Sequence, residues 1–152
     1  MVHRIVLLLT LFLNWSSPVA AQQRTRVACL DTATTQTAMT VCAGEASKAA
    51  DRQLQRLVAE LHDSLPTLQR AQLDSAQRAW ATYAAVQCRL EAEPYEGGSI
   101  YPMQVTLCRR RLAERHIADL APLLCDRGAP PGEPCLAARR YMGAPRPHTR
   151  RR

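Results

Sequence analysis

Residues 35–65 read TQTAMTVCAGEASKAADRQLQRLVAELHDSL, and their apolar side chains recur every three or four positions. The residues at these positions are Met39, Cys42, Ala46, Ala50, Leu54, Leu57, Leu61 and Leu65. That spacing places them on one face of a helix, and Pro66 ends the pattern. The stretch therefore predicts a long amphipathic helix, with Gly44 and Ser47 as the places where it would divide in two.

A second helical pattern covers residues 68–91. Its apolar side consists of Leu73, Ala76, Trp80, Tyr83 and Gln87, extended by Val86 and Leu90. Trp80 and Tyr83 have a spacing that would also suit a ligand-binding aromatic pair. Large rings on an apolar helix face are more often core residues, so we expect both to be buried.

A third helix is expected after Gly97 and Gly98. Ser99 has the side chain of an N-cap, and Pro102 is tolerated in a first turn, where its missing N–H is not needed. The apolar side of this helix is Val105, Cys108, Leu112, Ile117, Leu120 and Leu124. No stretch alternates like a strand, so the sequence predicts an all-α domain, a small bundle of three to four helices.

Residues 1–21 have the pattern of a secretory signal peptide. His3 and Arg4 precede the apolar run IVLLLTLFL, and small residues stand before Gln22. We expect cleavage between Ala21 and Gln22, which predicts a periplasmic or secreted protein. No apolar run reaches the roughly 18 residues of a membrane-spanning helix.

All six cysteines lie beyond the expected cleavage site. They are Cys29, Cys42, Cys88, Cys108, Cys125 and Cys135. An even number in an exported chain indicates disulfides, for which six cysteines allow 15 pairings. The order of the helices favours the pairs Cys29–Cys42, Cys88–Cys108 and Cys125–Cys135. No cysteine or histidine spacing is typical of a zinc site, so no metal is expected.

The positive charge of the chain is concentrated in residues 136–152. The sequence has 20 basic and 13 acidic residues, a formal net charge of +7. Six Arg and no acid lie from residue 136 onward, whereas residues 22–135 carry equal numbers of both signs. Pro145 and Pro147 also lie there, so we expect a disordered Arg-rich tail. Such a tail is either simply solvated or contacts anionic surfaces. Nucleic-acid binding is not expected, because no aromatic stacking platform accompanies the Arg residues.

Groups able to carry catalysis are scarce. The histidines beyond residue 21 are His62, His116 and His148, and no nucleophile motif accompanies them. Glu91, Glu93 and Glu96 cluster at a helix end and turn, as in a solvated acidic patch rather than a glycosidase pair. We therefore expect neither enzymatic activity nor a cofactor.

Several short motifs occur in a fixed order along the chain. They are Cys29, QTAMTVCA (36–43), ADRQL (50–54), AQRAW (76–80) with Tyr83 and Cys88, and GGSIYP (97–102) with Cys108. This set resembles the lysozyme inhibitor LprI-like family of exported bacterial proteins, and the resemblance spans about residues 28–124. The chain departs from it at residues 38–40, 53–55 and 84–85, where the family often has Glu-Met-Asn, Glu-Leu-Asn and Arg-Asp. The departures remove polar groups and leave the core pattern intact.

The resemblance implies non-covalent inhibition of lysozyme by a helical domain at residues 22–124. A disulfide-closed loop (125–135) and the tail (136–152) would follow it. We expect the partner contact at Tyr95, Glu96, Gly97, Gly98 and Ser99, which form a loop with a flexible tip above the Cys88–Cys108 pair. The same residues also fit a tight interhelix turn with a helix cap. The alternative function is that of an envelope-associated structural or adaptor protein, which binds anionic cell-surface components through its Arg-rich tail.

Overall fold

A computed structural model describes residues 29–125 and 135–142. Its helices are α1 (Gln36–Ser64), α2 (Thr67–Ala92), α3 (Tyr101–Leu120) and the short α4 (Leu136–Met142). The 3₁₀ turns Glu93–Tyr95 and Ala121–Leu124 follow α2 and α3, and residues 29–32 are also helical. No strand occurs among the described residues, so the all-α prediction is confirmed. The expected signal peptide lies outside them.

The bounds of α1 follow from local chemistry. Thr35 caps the helix, because its Oγ1 accepts a hydrogen bond from the Ala38 N–H at 3.1 Å. At the other end the Leu65 N–H donates to the Leu61 carbonyl, and Pro66 then stops the helical ladder. The helix continues through Gly44 and Ser47 without a break. The sequence therefore predicted this element to within one residue at each end.

The start of α3 differs from expectation. The helix begins at Tyr101 with Ile100 in the capping position, and no side chain caps it. The prediction that Ser99 is the N-cap is therefore wrong. The Tyr101 N–H donates instead to the Gly98 carbonyl, so a backbone turn replaces the side-chain cap. Pro102 lies in the first turn, as predicted.

The central element is α3, which packs against both α1 and α2, whereas those two helices contact each other little. The main core forms where α1 and α3 meet the N-terminal part of α2. Its buried members are Ala50, Leu54, Leu57, Leu61, Leu73, Ala113, Ile117, Leu120, Ala121 and Ala138. A smaller cluster of Ala84, Cys88, Cys108 and Leu112 joins α2 to α3. The half-buried Trp80 packs against both clusters.

The buried face of α2 agrees with the predicted one only in part, at Leu73 and at the half-buried Trp80. Leu73, Ala84, Cys88 and Ala92 are buried, whereas Tyr83 is 54% exposed and Leu90 is 68% exposed. The prediction that both rings lie in the core is confirmed in part for Trp80, which is half-buried. It is wrong for Tyr83. This helix has two apolar stripes, and periodicity alone does not indicate which of them faces α3.

All three predicted disulfides are confirmed: Cys29–Cys42, Cys88–Cys108 and Cys125–Cys135. Each typically contributes about 2–4 kcal/mol by restricting the unfolded chain. Such support matters here, because small domains with few aromatic residues bury little apolar surface.

The prediction of disorder from residue 136 is wrong for Leu136–Met142, which form α4. Ala138 is fully buried in the main core, and the Gln53 side chain donates to the Tyr141 carbonyl at 2.9 Å. Glu60 on α1 accepts from the Tyr141 hydroxyl at 2.7 Å and from Arg140 at 2.6 Å. Burial and the bond to Glu60 raise the pKa of Tyr141. Residues 143–152, the rest of the predicted tail, lie outside the described part of the chain.

Candidate functional site

Residues 93–100 form the α2–α3 loop, which contains all five residues predicted to contact a partner. The structure brings Tyr95, Glu96, Gly97, Gly98 and Ser99 together on one exposed turn. Tyr95 is 42% exposed and lies at the end of the 3₁₀ turn. An exposed ring on a short turn offers contact area with few rotatable bonds to restrict, which suits recognition of a protein surface.

Two glycines determine the shape of this loop. Gly97 has a φ of +78°, a conformation that side-chain-bearing residues rarely adopt. A Cβ on Gly98 would lie 3.2 Å from the Tyr95 carbonyl oxygen. That oxygen already accepts a hydrogen bond from the Gly98 N–H at 3.0 Å. The loop is therefore a closed turn with its own hydrogen bonds. Gly97 is needed for its backbone conformation, and a side chain at Gly98 would press on the Tyr95 carbonyl.

The base of the loop is fixed covalently and electrostatically. The Cys88–Cys108 disulfide joins α2 to α3, and both cysteines are buried. Beside it, the Glu91 carboxylate accepts hydrogen bonds from Gln87 and from Arg111 on α3. These two bonds lower the pKa of Glu91, the one from Gln87 most. Gln104, Leu107 and Arg111 line a shallow depression of about 240 Å³ at this point.

The acidic residues of this region have different environments. Glu91 is tied to Arg111, whereas Glu93 and Glu96 are exposed on the loop itself. Of the three carboxylates in the predicted cluster, Glu93 and Glu96 therefore lie on the loop itself. Such a surface attracts a basic partner and raises its association rate.

A groove separates α1 from α2 because both helices pack on α3 and diverge from each other. Its volume is about 610 Å³. Leu54, Val58 and Trp80 form its apolar lining, and Asp51, Gln55, His62, Asp63, Gln77 and Arg109 supply the polar groups. His62 on α1 lies 3.9 Å from the Asp74 carboxylate on α2. No sequence motif marks this groove, since it arises from how the helices diverge.

Trp80 and His116 form a stack beneath the groove. Their ring centroids are 4.5 Å apart with an interplanar angle of 6°. His116 Nε2 lies 3.3 Å from Gln77 Oε1, a contact in which the Nε2–H tautomer donates to the amide. Burial lowers the pKa of His116, and the nearby Asp119 opposes that shift in part. Gln77 Nε2 is buried without a hydrogen-bond partner in the described part of the chain.

The two histidines in the described part of the chain each contact one polar side chain of α2. His62 and His116 contact Asp74 and Gln77 respectively, and neither contact includes a serine or cysteine nucleophile. The cysteines described are all in disulfides. Among residues 29–125 and 135–142, no group of three or more His, Cys, Asp or Glu could hold a metal ion.

Among the helices of residues 29–125 and 135–142, none combines the length and the hydropathy needed to cross a bilayer.

The comparisons with known proteins agree with the resemblance noted from the sequence. A family model described as "Lysozyme inhibitor LprI" matches residues 29–120. These residues run from the first disulfide to the end of α3 and include the α2–α3 loop. No curated protein and no solved structure matches the chain significantly.

Proposed function

Because the chain belongs to the LprI family of lysozyme inhibitors, we propose that it binds a lysozyme and inhibits it by non-covalent contact through residues 95–99. The observation that carries this proposal is the α2–α3 loop. It is the exposed turn of the family-matched domain, and a buried disulfide fixes its base.

The geometry of the loop supports insertion into an enzyme cleft. A loop that is already ordered loses little conformational freedom on binding, so more of its contact energy appears as affinity. The positive φ of Gly97 and the hydrogen bond from Gly98 to Tyr95 give that order here. Tyr95 then supplies a large, amphipathic side chain of the type that dominates many interfaces.

Charge supports the same choice of partner. Animal lysozymes are basic, and Glu93 and Glu96 are exposed carboxylates beside Tyr95. Opposite charges at the rim of an interface steer the encounter and make it sensitive to salt. The Arg residues of the tail act in the opposite sense, because they repel a basic enzyme.

We further propose that the protein works outside the cytoplasm, in the periplasm or the medium, and is not an enzyme. Three disulfides persist in oxidising compartments and are rare in reducing ones. The signal-like residues 1–21 agree with export. The matched family is one of inhibitors, which agrees with binding rather than catalysis.

The test follows lysozyme as it clears a suspension of bacterial cell walls, with the oxidised mature protein added in increasing amounts. Tyr95→Ala and Glu96→Ala together should weaken inhibition at least tenfold, because both side chains are exposed on the loop that is proposed to contact lysozyme. Glu114→Ala is the matched control, since it removes an exposed acid from α3, far along the chain from the loop. Circular dichroism should show unchanged helix content in every variant.

Two results would contradict the proposal. If the loop variant inhibits as well as the parent, the contact lies elsewhere; if the parent inhibits no lysozyme type, the activity itself is absent. The tail is tested separately by truncation after Met142, because a cut at residue 136 would also remove α4. If salt-sensitive binding to anionic liposomes appears and is lost on this truncation, the envelope-adaptor alternative gains support.

A further inference from the structure

The outer face of α2 carries a second apolar stripe, whose large side chains are more than half exposed and belong to neither core cluster of the described chain. Leu68, Tyr83, Val86 and Leu90 are 73%, 54%, 53% and 68% exposed. The smaller residues Ala76 and Ala79 are also exposed and lie between the large ones. At about 100° per residue, this stripe lies roughly 130° around the helix from the face that packs on α3.

The spacing of the stripe is that of a helix–helix seam. From Gln72 its members are residues 72, 76, 79, 83, 86 and 90, which alternate steps of four and three. Such a 3.5-residue repeat keeps one face turned toward a partner helix along its whole length. None of these positions carries a charge, so a second copy of the same stripe meets no like-charge repulsion there.

We propose that α2 pairs with α2 of a second copy of this chain, antiparallel, about a two-fold axis at Ala79. In this register Leu90 faces Leu68 of the other copy and Val86 faces Gln72, while Tyr83 faces Ser75 and lies next to Ala76. Ala79 faces its own equivalent, where a small side chain allows the helices to approach closely. The large Tyr83 ring therefore faces small residues, as close packing requires, and the two leucines make an apolar contact at each end of the seam.

The parallel arrangement fits less well. It would place Tyr83 on Tyr83 and Ala76 on Ala76, which overfills the seam at residue 83 and leaves it loosely packed at residue 76. An antiparallel pair is also isologous, so the same patch serves both copies and the assembly closes at two.

The area available sets the strength of this dimer. The stripe from Leu68 to Leu90 is about 33 Å long at 1.5 Å per residue. A contact of that length and one helix diameter in width buries on the order of 1,000 Å² over both copies, which is near the lower limit for a stable interface. The pair should therefore exchange with monomer at micromolar concentrations.

The dimer leaves the α2–α3 loops free. Tyr95 is 16 residues beyond Ala79, so each loop lies about 24 Å from the two-fold axis, at opposite ends of the pair. Its formation does not depend on the proposed lysozyme contact, and inhibition by either copy does not depend on the dimer.

The first experiment is sedimentation velocity on the oxidised mature protein from about 1 to about 500 µM, a range that brackets micromolar affinity. The mean mass should rise from one chain toward two. Val86→Glu should keep the protein monomeric throughout, because it buries a charge in the seam. Val41→Glu is the matched control: Val41 is 60% exposed on α1, and its variant should dimerise like the parent.

The second experiment tests the register. Ala79→Cys should give a covalent dimer on mild oxidation, because the two-fold axis places the new thiol beside its equivalent. Ala85→Cys is an exposed residue of the same helix outside the stripe and should cross-link at least tenfold more slowly.

Three outcomes would overturn the proposal: a parent that stays monomeric at the highest concentration, a Val86→Glu variant that still dimerises, or equal cross-linking at residues 79 and 85. A Val86→Glu variant that loses lysozyme inhibition while the parent is monomeric would assign the stripe to lysozyme instead. If only the variant with Tyr95→Ala and Glu96→Ala loses inhibition, the result concerns the proposed lysozyme contact. It does not bear on the dimer.

Discussion

α1 and α2 are both long amphipathic helices, yet α1 has nine buried residues and α2 has four. The difference lies in their neighbours. α1 packs on α3 and on the 3₁₀ turn Ala121–Leu124, and it holds α4 through Gln53 and Glu60. α2 packs mainly on α3 and on the turn at its own end. An amphipathic pattern predicts a helix, but the number of surrounding elements decides how much of its surface is buried. The less buried helix keeps an exposed apolar face.

The largest expected effect concerns the disulfide that holds α2 on α3. Replacing Cys88 and Cys108 by Ala should lower the free energy of unfolding by about 4 kcal/mol, because α2 has few other contacts to keep it on α3. The check is urea unfolding followed by circular dichroism. Replacing Cys29 and Cys42 is the matched comparison, with a separation of 13 residues against 20, and should destabilise less. Equal losses would mean that the other contacts of α2 hold it on α3 without special help from the Cys88–Cys108 bond.

A matched pair of leucines tests the burial difference directly. Leu57 on α1 is fully buried, whereas Leu90 on α2 is 68% exposed. Leu57→Ala should lower the free energy of unfolding by about 3 kcal/mol through lost apolar contact and a cavity, and Leu90→Ala by less than about 0.5 kcal/mol. Unfolding must be measured at low micromolar concentration, where the monomer prevails. A large loss from Leu90→Ala under these conditions would show that its face is covered within one chain.

The same comparison explains what the sequence could and could not predict. The bounds of α1 and the disulfides were accessible because their signals are local: apolar periodicity, Pro66, and cysteines at the ends of elements. The exposure of Tyr83 was not, since α2 carries two apolar stripes and only the position of α3 selects one. The groove and the Trp80–His116 stack depend on how three helices diverge. α4 was missed because Arg and Pro dominate the composition of residues 136–152, while a single buried Ala138 and the contacts with Glu60 hold its seven residues.

The sequence likewise predicted one part of the candidate site and missed another. The sequence placed Tyr95–Ser99 of the loop on one turn because Gly97 and Gly98 are strong turn signals, and the structure confirms their proximity. It did not predict that Arg111 on α3 would bind Glu91, because that contact crosses from one helix to the next. Which residues touch a lysozyme depends on the partner's surface, which no pattern in this chain encodes.

The smallest expected effect is a pH dependence at the place where α2 meets α3. Burial holds the pKa of His116 below its usual value of 6.5, so below about pH 6.5 the unfolded chain binds more protons at this residue than the folded one. The contribution of His116 to stability is therefore complete above pH 6.5 and declines as the pH falls from there toward the lowered pKa. His116→Gln should abolish this part of the decline when the free energy of unfolding is measured at pH 7.5 and pH 5.5. Asp119→Asn should make the decline steeper, because the Asp119 carboxylate raises the pKa of His116. If the His116→Gln variant is as sensitive to pH as the parent, His116 can be protonated without leaving Trp80. The contact of α2 with α3 would then be looser than the stacked geometry of the two rings indicates.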